Sequence, residues 1–191
     1  MKDHIKQAIK FLYYGGIVIF PTDTAFGIGC RMDDEEAVQR LFSIRKRPKT
    51  QATPVLVSSF AMAEKYLQPV PSKVKKELID FYWPGALTIV LPSKTENVSP
   101  LARGGTQTLG VRMPNHPDAL EIINGVGVPI LGPSANFHGE QTPYAFEDLD
   151  PELVKLVDYV VPGQCSVKEA STVIDCTNES WKILRQGAVT L

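Results

Sequence analysis

The sequence predicts an α/β or α+β fold with one sizeable mixed sheet, built as a single domain over residues 1–191. Three observations predict it. Short apolar, β-branched runs such as Ile17-Val18-Ile19-Phe20 and Val55-Leu56-Val57 are interleaved with stretches of helical periodicity. Hydrophobic residues make up 43% of the chain, enough for a sizeable core, and charged residues 21%, ordinary for a globular protein. No repeat, low-complexity tract or long linker divides a chain whose length falls within the usual span of one domain, about 100–200 residues.

Ile5, Ile9 and Leu12 lie at helical spacing, and Gly15-Gly16 stops that helix. Residues 17–20 then read as a strand, with a second at 28–31. Asp33 or Asp34 caps a helix through Ala37, Val38, Leu41 and Ile44, which Pro48 terminates. A short strand at Val55-Leu56-Val57 precedes helical segments at 60–67 and 72–82. Trp83-Pro84-Gly85 marks a turn into a buried strand at 86–91. A polar loop at 93–107, whose Gly104-Gly105 would permit lid movement, leads to a strand at 108–113, a short helix at 116–123 and a strand at 128–131. A helix at 147–156, a strand at 158–161 and a pair of strands at 171–175 and 181–184 complete the order. Several strands end in loops rich in functional groups, the place where open α/β sheets gather ligand sites.

Composition narrows the function classes. The net charge is -1, so any basic surface must be local. No apolar run approaches the about 18 residues of a membrane span. The polar N-terminus leads into no signal-peptide core, so the expected location is the cytoplasm. Cys30, Cys165 and Cys176 are scattered, with neither metal spacing nor a disulfide framework, and read as reduced thiols.

Two polar clusters follow apolar strands, Pro21-Thr22-Asp23-Thr24 and Pro133-Ser134-Ala135-Asn136. Each reads either as a ligand-facing set of small hydrogen-bonding groups or as a turn that satisfies its own backbone. Arg45-Lys46-Arg47 at a helix end either complements the helix dipole or binds phosphate. Arg112, in an otherwise apolar strand, either closes a salt bridge or reaches into a pocket, and Thr108 shares its strand face. Ser134 lacks a nucleophile elbow, and His4, His116 and His138 offer it no clear partner, so a hydrolase triad is not indicated. No catalytic acid, base or nucleophile is assigned. Neither common Gly-rich nucleotide motif is present.

Taken in order, these segments resemble the YrdC-like family of threonylcarbamoyl-AMP synthases. The resemblance runs through Gly16-Ile17-Val18-Ile19-Phe20-Pro21-Thr22-Asp23-Thr24, Arg45-Lys46-Arg47-Pro48, Trp83-Pro84-Gly85-Ala86-Leu87-Thr88, Gly110-Val111-Arg112-Met113-Pro114, Pro133-Ser134-Ala135-Asn136, Ser171-Thr172-Val173-Ile174-Asp175 and Ile183-Leu184-Arg185-Gln186-Gly187. It is to the free-standing form, without the extra C-terminal domain of longer relatives. It implies a twisted, open mixed sheet with flanking helices around a concave basic cavity. The implied reaction joins L-threonine, bicarbonate and ATP, with Mg²⁺, into threonylcarbamoyl-AMP and pyrophosphate. A downstream threonylcarbamoyl-transferase complex then modifies tRNA, so contact with tRNA or other RNA is also implied. By the same resemblance Thr22, Arg112, Gly132 and Ser171 would hold L-threonine. Arg47, Gln51, Thr108, Ser134, Asn136 and Arg185 would contact ATP, and Arg45, Arg47 and Arg185 would stabilise developing phosphate charge.

Three departures from the family pattern stand out: Arg45 replaces a lysine, Phe26 a tyrosine, and Gln51-Ala52-Thr53-Pro54 a Lys-Pro-Leu-Pro stretch. An alternative is a non-catalytic module of this fold that holds RNA or a nucleotide, although no aromatic-interleaved basic stripe supports it. A carbamoyl-transfer enzyme using carbamoyl phosphate is a chemically close third reading.

Overall fold

The computed structural model describes every residue from Met1 to Leu191. Helix α1 (Asp3–Tyr13) buries Ile5, Ala8 and Leu12 on one face, as its spacing predicts. It ends before Gly15, whose φ of 79° suits a residue without a side chain. Strands β1 (Val18–Pro21) and β2 (Phe26–Gly29) follow, fully buried. β2 starts earlier than predicted because two of its four residues are glycines, which carry no apolar signal. Asp34 caps α2 (Glu35–Ile44), its carboxylate accepting from the Ala37 N–H at 3.0 Å. The helix ends at Ile44, ahead of Pro48, because Lys46 turns to a left-handed φ of 52°.

Next come β3 (Val55–Leu56), α3 (Phe60–Glu64), α4 (Ser72–Val74) and α5 (Asp80–Tyr82). A π-helical turn, Lys75–Ile79, joins α4 to α5, so the predicted 72–82 helix is continuous but widened in its middle. The chain continues through β4 (Leu87–Pro92), β5 (Thr108–Arg112), α6 (Pro117–Val126) and β6 (Ile130–Leu131). The predicted 147–156 helix is instead a 3-10 turn, Phe146–Asp148, followed by α7 (Pro151–Val154). Pro151 has no N–H to continue a helix and starts a new one. Strands β7 (Tyr159–Val160), β8 (Thr172–Asp175) and β9 (Lys182–Arg185) close the fold.

The strands form two mixed sheets rather than one, ordered β2-β1-β7 and β6-β3-β5-β4-β8-β9. They meet along β2 and β6, where the Ile28 N–H donates to the Pro133 carbonyl at 2.9 Å and the Leu131 N–H to the Cys30 carbonyl at 3.0 Å. Pro129 and Pro133 flank β6 and remove ladder donors, so this seam never becomes a regular strand pair. A Cβ on Gly29 would lie 2.1 Å from the Leu131 carbonyl oxygen, so only glycine permits the approach. One cluster of 45 buried residues runs through both sheets and their helices, which makes the seam part of a shared core. No helix is long and apolar enough to cross a membrane. All three cysteines are unpaired and buried.

Candidate anion-binding site

The seam brings the two polar clusters together. The β1–β2 turn with Thr22 and Thr24, the end of α2 with Arg45 and Arg47, and Gly132-Pro133-Ser134 after β6 line one cleft. Thr88 of β4, Arg112 of β5, Thr142, Ser171 and Arg185 of β9 complete its polar wall. Its interior of about 150 Å³ is smaller than the about 300–1,000 Å³ typical of small-molecule pockets. That suits a compact polar group inside, with anything nucleotide-sized extending across the mouth. The lining holds four arginines and no carboxylate, although the whole chain is nearly neutral. Such a cleft concentrates anions.

Arg112 does both things the sequence left open. Its Nη2 is ion-paired with Asp23, Nη1 donates to Thr24 Oγ1 at 2.7 Å, and Nε donates to the Gly85 carbonyl at 3.0 Å. Burial lowers its pKa, while Asp23 pulls the other way. A guanidinium has five N–H groups, so two remain for a ligand oxygen in the cleft.

Arg45 is only 3% exposed. Its Nε donates to the Asn136 carbonyl at 3.0 Å and its Nη2 to Asn136 Oδ1 at 3.3 Å, while Nη1 is buried with no partner. Burial first, then repulsion from Arg47, lowers its pKa to about 10. A buried cationic nitrogen without a partner is costly, and it belongs to a side chain that lines the anion-attracting cleft. Arg47 donates to the carbonyls of Gln51 and Ala52, and burial lowers its pKa as well. Arg185 stands exposed at the mouth and grips Ser171, with Nη2 2.8 Å from the carbonyl oxygen and 3.0 Å from Oγ.

Several expected contacts lie elsewhere. Thr22 Oγ1 donates to the Ala25 carbonyl at 2.7 Å and accepts from the Thr24 and Ala25 N–H groups, so this hydroxyl closes its own turn at the cleft wall. Asn136 lies outside the lining. Its Oδ1 accepts from Ser134 Oγ at 2.6 Å and from Arg45, and its Nδ2 donates to the carbonyls of Phe137 and Glu140. It therefore braces Arg45 and Ser134. Thr108 begins β5, four residues from Arg112 and so about 13 Å along the strand, beyond the lining. Gln51 is exposed and contributes its carbonyl to Arg47. Gly132 does line the cleft, where a Cβ would come within 2.4 Å of Leu56.

The 93–107 loop is held in place. Ser93 and Gln107 close its base, Arg103 donates to the carbonyls of Val98 and Thr106, and a Cβ on Gly104 would lie 2.5 Å from the Ala52 nitrogen. It buttresses the segment that Arg47 caps and lies outside the cleft. The sequence marks Asp23 and Thr24 only as members of a cluster that reads as turn or ligand wall, and it assigns no role of their own to Thr88 or Thr142. Thr88, a hydroxyl inside an apolar strand, was the readable signal. Thr142, in an irregular loop, carried none.

A donor-rich, strongly basic cleft at the seam of two sheets defines an α/β protein built to hold a compact oxyanion or phosphorylated ligand. Residues 10–187 match the Sua5/YciO/YrdC family, described as telomere recombination, and the chain belongs to that family. It is 35% identical over 190 residues to a threonylcarbamoyl-AMP synthase of Bacillus subtilis (strain 168), across 97% of this chain and 54% of that protein. A solved structure of Pyrococcus abyssi Sua5 complexed with L-threonine is similar with a TM-score of 0.90 at 34% identity, over 96% of this chain and 54% of that one. E. coli YciO is similar with a TM-score of 0.80 at 25% identity, over 96% and 88% of the two chains. The chain thus spans about half the length of the Bacillus and Pyrococcus proteins.

Proposed function

We propose that the chain is an L-threonylcarbamoyladenylate synthase, a nucleotidyltransferase that joins L-threonine, bicarbonate and ATP. The observation that carries this reading is the buried Arg45 nitrogen without a partner, in a cleft lined by four arginines and no carboxylate. Similarity to the Bacillus synthase and to the threonine-bound Sua5 structure supports the choice of substrates.

In this proposal the two spare N–H groups of Arg112 hold the threonine carboxylate, within a wall formed by Thr22, Gly132 and Ser171. Arg45, Arg47 and Arg185 hold the phosphates, and Ser134 and Thr142 complete the nucleotide contacts. Bicarbonate loses hydroxide as the threonine nitrogen bonds to its carbon, and the proton that the nitrogen gives up joins that hydroxide as water, which leaves a carbamate. A carbamate oxygen then bonds to the α-phosphorus, and the bond to the β-phosphate oxygen breaks to release pyrophosphate. The arginines stabilise the negative charge that moves onto the leaving group, and the fixed cleft aligns the reactants. No side chain is assigned as a general base, because positioning and electrostatics carry much of phosphoryl transfer.

No three His, Cys, Asp or Glu side chains gather as a metal site, and the cleft lining has no carboxylate. These residues do not fit a resident divalent cation, so Mg²⁺ enters the proposal only as the counter-ion that ATP brings. The product is a reactive mixed anhydride, to be consumed by a threonylcarbamoyl transferase acting on tRNA in the cytoplasm. The test is incubation with ATP, Mg²⁺, bicarbonate and L-threonine. Threonine-dependent pyrophosphate and the adenylate product are expected. Folded protein that binds ATP yet makes no product above a blank would end this reading and favour a non-catalytic nucleotide- or RNA-binding role.

A further inference from the structure

Four polar side chains form a row across neighbouring strands. β5 ends in Arg112, β4 carries Thr88, Ser171 directly precedes β8, and β9 ends in Arg185. The antiparallel register of β4 and β5 pairs Ile89 with Val111, which sets Thr88 beside Arg112. The parallel register of β4 and β8 pairs Thr88 with Val173, which leaves Ser171, two residues earlier, as the diagonal neighbour of Thr88 on the same face, and their hydroxyls meet. Cations stand at the two ends of the row and hydroxyls in the middle.

The proton count in the middle is decisive. Thr88 Oγ1 and Ser171 Oγ are 2.9 Å apart, both residues are more than nine-tenths buried, and both line the cleft. Ser171 Oγ also accepts from Arg185 Nη2 at 3.0 Å. Two hydroxyls sharing one hydrogen bond use one of their two protons. Neither has another acceptor in the protein, so whichever donates to the other, one O–H is left facing the cleft. A buried donor without an acceptor calls for a ligand oxygen and repels an ammonium group.

We propose that the Thr88–Ser171 pair is the subsite for the carbonate-derived oxygen, first of bicarbonate and then of the carbamate. The inference rests on the synthase reading above. In that reaction the carbamate connects the threonine backbone to the α-phosphate. With the carboxylate at Arg112 and phosphate at Arg185, the connecting group falls on the hydroxyls between them. Thr88 is thereby a substrate-contacting residue, and Ser171 ties the carbamate position to the phosphate-holding Arg185.

The test uses Thr88→Val, which keeps the shape and removes the hydroxyl, with Thr88→Ser as the rescuing variant and thermal melts to check folding. Loss of one buried hydrogen bond predicts an apparent KM for bicarbonate raised about tenfold in Thr88→Val. Thr88→Ser should stay near wild type, and the Kd values for L-threonine and ATP, each measured alone, should change less than about twofold. A second arm needs no turnover: ¹³C NMR of labelled bicarbonate with L-threonine and a non-hydrolysable ATP analogue should show a bound signal with wild type that Thr88→Val loses. An unchanged bicarbonate KM, an equal loss of threonine affinity, or a retained ¹³C signal in Thr88→Val would each overturn the subsite. A wild-type protein that shows the ¹³C signal but makes no adenylate would overturn the synthase reading and leave the oxygen subsite standing. Wild type with neither would overturn both.

Discussion

Replacing Arg45 with methionine should stabilise the ligand-free protein while weakening ATP binding. Arg45 is only 3% exposed, and Nη1 has no partner. Burial holds its pKa at about 10, well below the usual arginine value, and that displacement corresponds to about 3 kcal/mol of bias against the charged form. Arginine keeps its proton at neutral pH in both folded and unfolded chains. Its folded pKa is the lower one, so the full cost is present at pH 7 and is relieved only as pH rises through about 10. Against this gain, methionine leaves the Asn136 carbonyl without its Nε donor and removes one donor from Asn136 Oδ1, a loss of about 1–2 kcal/mol. The balance is a stabilisation of about 1–2 kcal/mol, or a Tm increase of about 2–8 °C for a chain of this size. ATP affinity should fall about ten- to a hundredfold, because a hydrogen bond to a charged group contributes about 1.5–3 kcal/mol. Scanning calorimetry with and without ATP reads both effects. A folded Arg45→Met protein whose ligand-free Tm is unchanged or lower would refute the claim that Arg45 is held at a cost to stability in the service of anion binding.

Two further substitutions examine what supports the cleft. Arg112→Leu leaves Asp23 as a buried, unpaired carboxylate and should cost about 3–5 kcal/mol in urea melts, of which an added Asp23→Asn recovers more than half; strictly additive losses would mean the pair is not coupled. Asp158 accepts from the Ile17 N–H at 2.7 Å and pairs with Arg40, and although burial raises its pKa, these partners hold it below the usual carboxylate range. A lowered folded pKa gives stability that is present above the unfolded value and lost as pH falls through the acid range. Asp158→Asn should therefore cost about 1 kcal/mol at pH 7 and give a shallower fall in urea midpoint between about pH 5 and pH 3; parallel pH profiles would remove Asp158 from the account.

The sequence made most elements legible because their signals are local. The stripe of Ile5 and Leu12, the cap at Asp34 and the apolar run of β4 each depend on neighbours a few residues away. The ordered motifs also picked out the cleft-lining residues Thr22, Arg45, Arg47, Arg112, Gly132, Ser134, Ser171 and Arg185. What sequence could not convey is which atoms of a side chain are already engaged. Asn136 looks like a ligand contact until its Oδ1 is found shared between Ser134 and Arg45. Thr22 offers a hydroxyl that its own turn engages. Thr88 becomes visible only when the register of β4 and β5 sets it opposite Arg112 and its hydroxyl meets that of Ser171. The break into two sheets has the same origin, since it depends on how β2 meets a proline-flanked β6 across about a hundred residues of chain.

That bonding detail also changes the weight of the most conspicuous departure from the family pattern. An arginine in place of a lysine exchanges a point donor for a planar fork, and the two are not equivalent where both arms meet the ligand. Here Asn136 takes Nε and one N–H of Nη2, which fixes the plane of the guanidinium and leaves Nη1 as the nitrogen without a partner. Arg45 therefore keeps Nη1 and one N–H of Nη2 unengaged, with Nε and the other Nη2 N–H anchored to Asn136. Reversion to lysine would keep the charge and lose the anchor. A flexible ammonium pays more rotamer entropy to reach the same oxygen, so the Asn136 brace and the arginine belong together as one device.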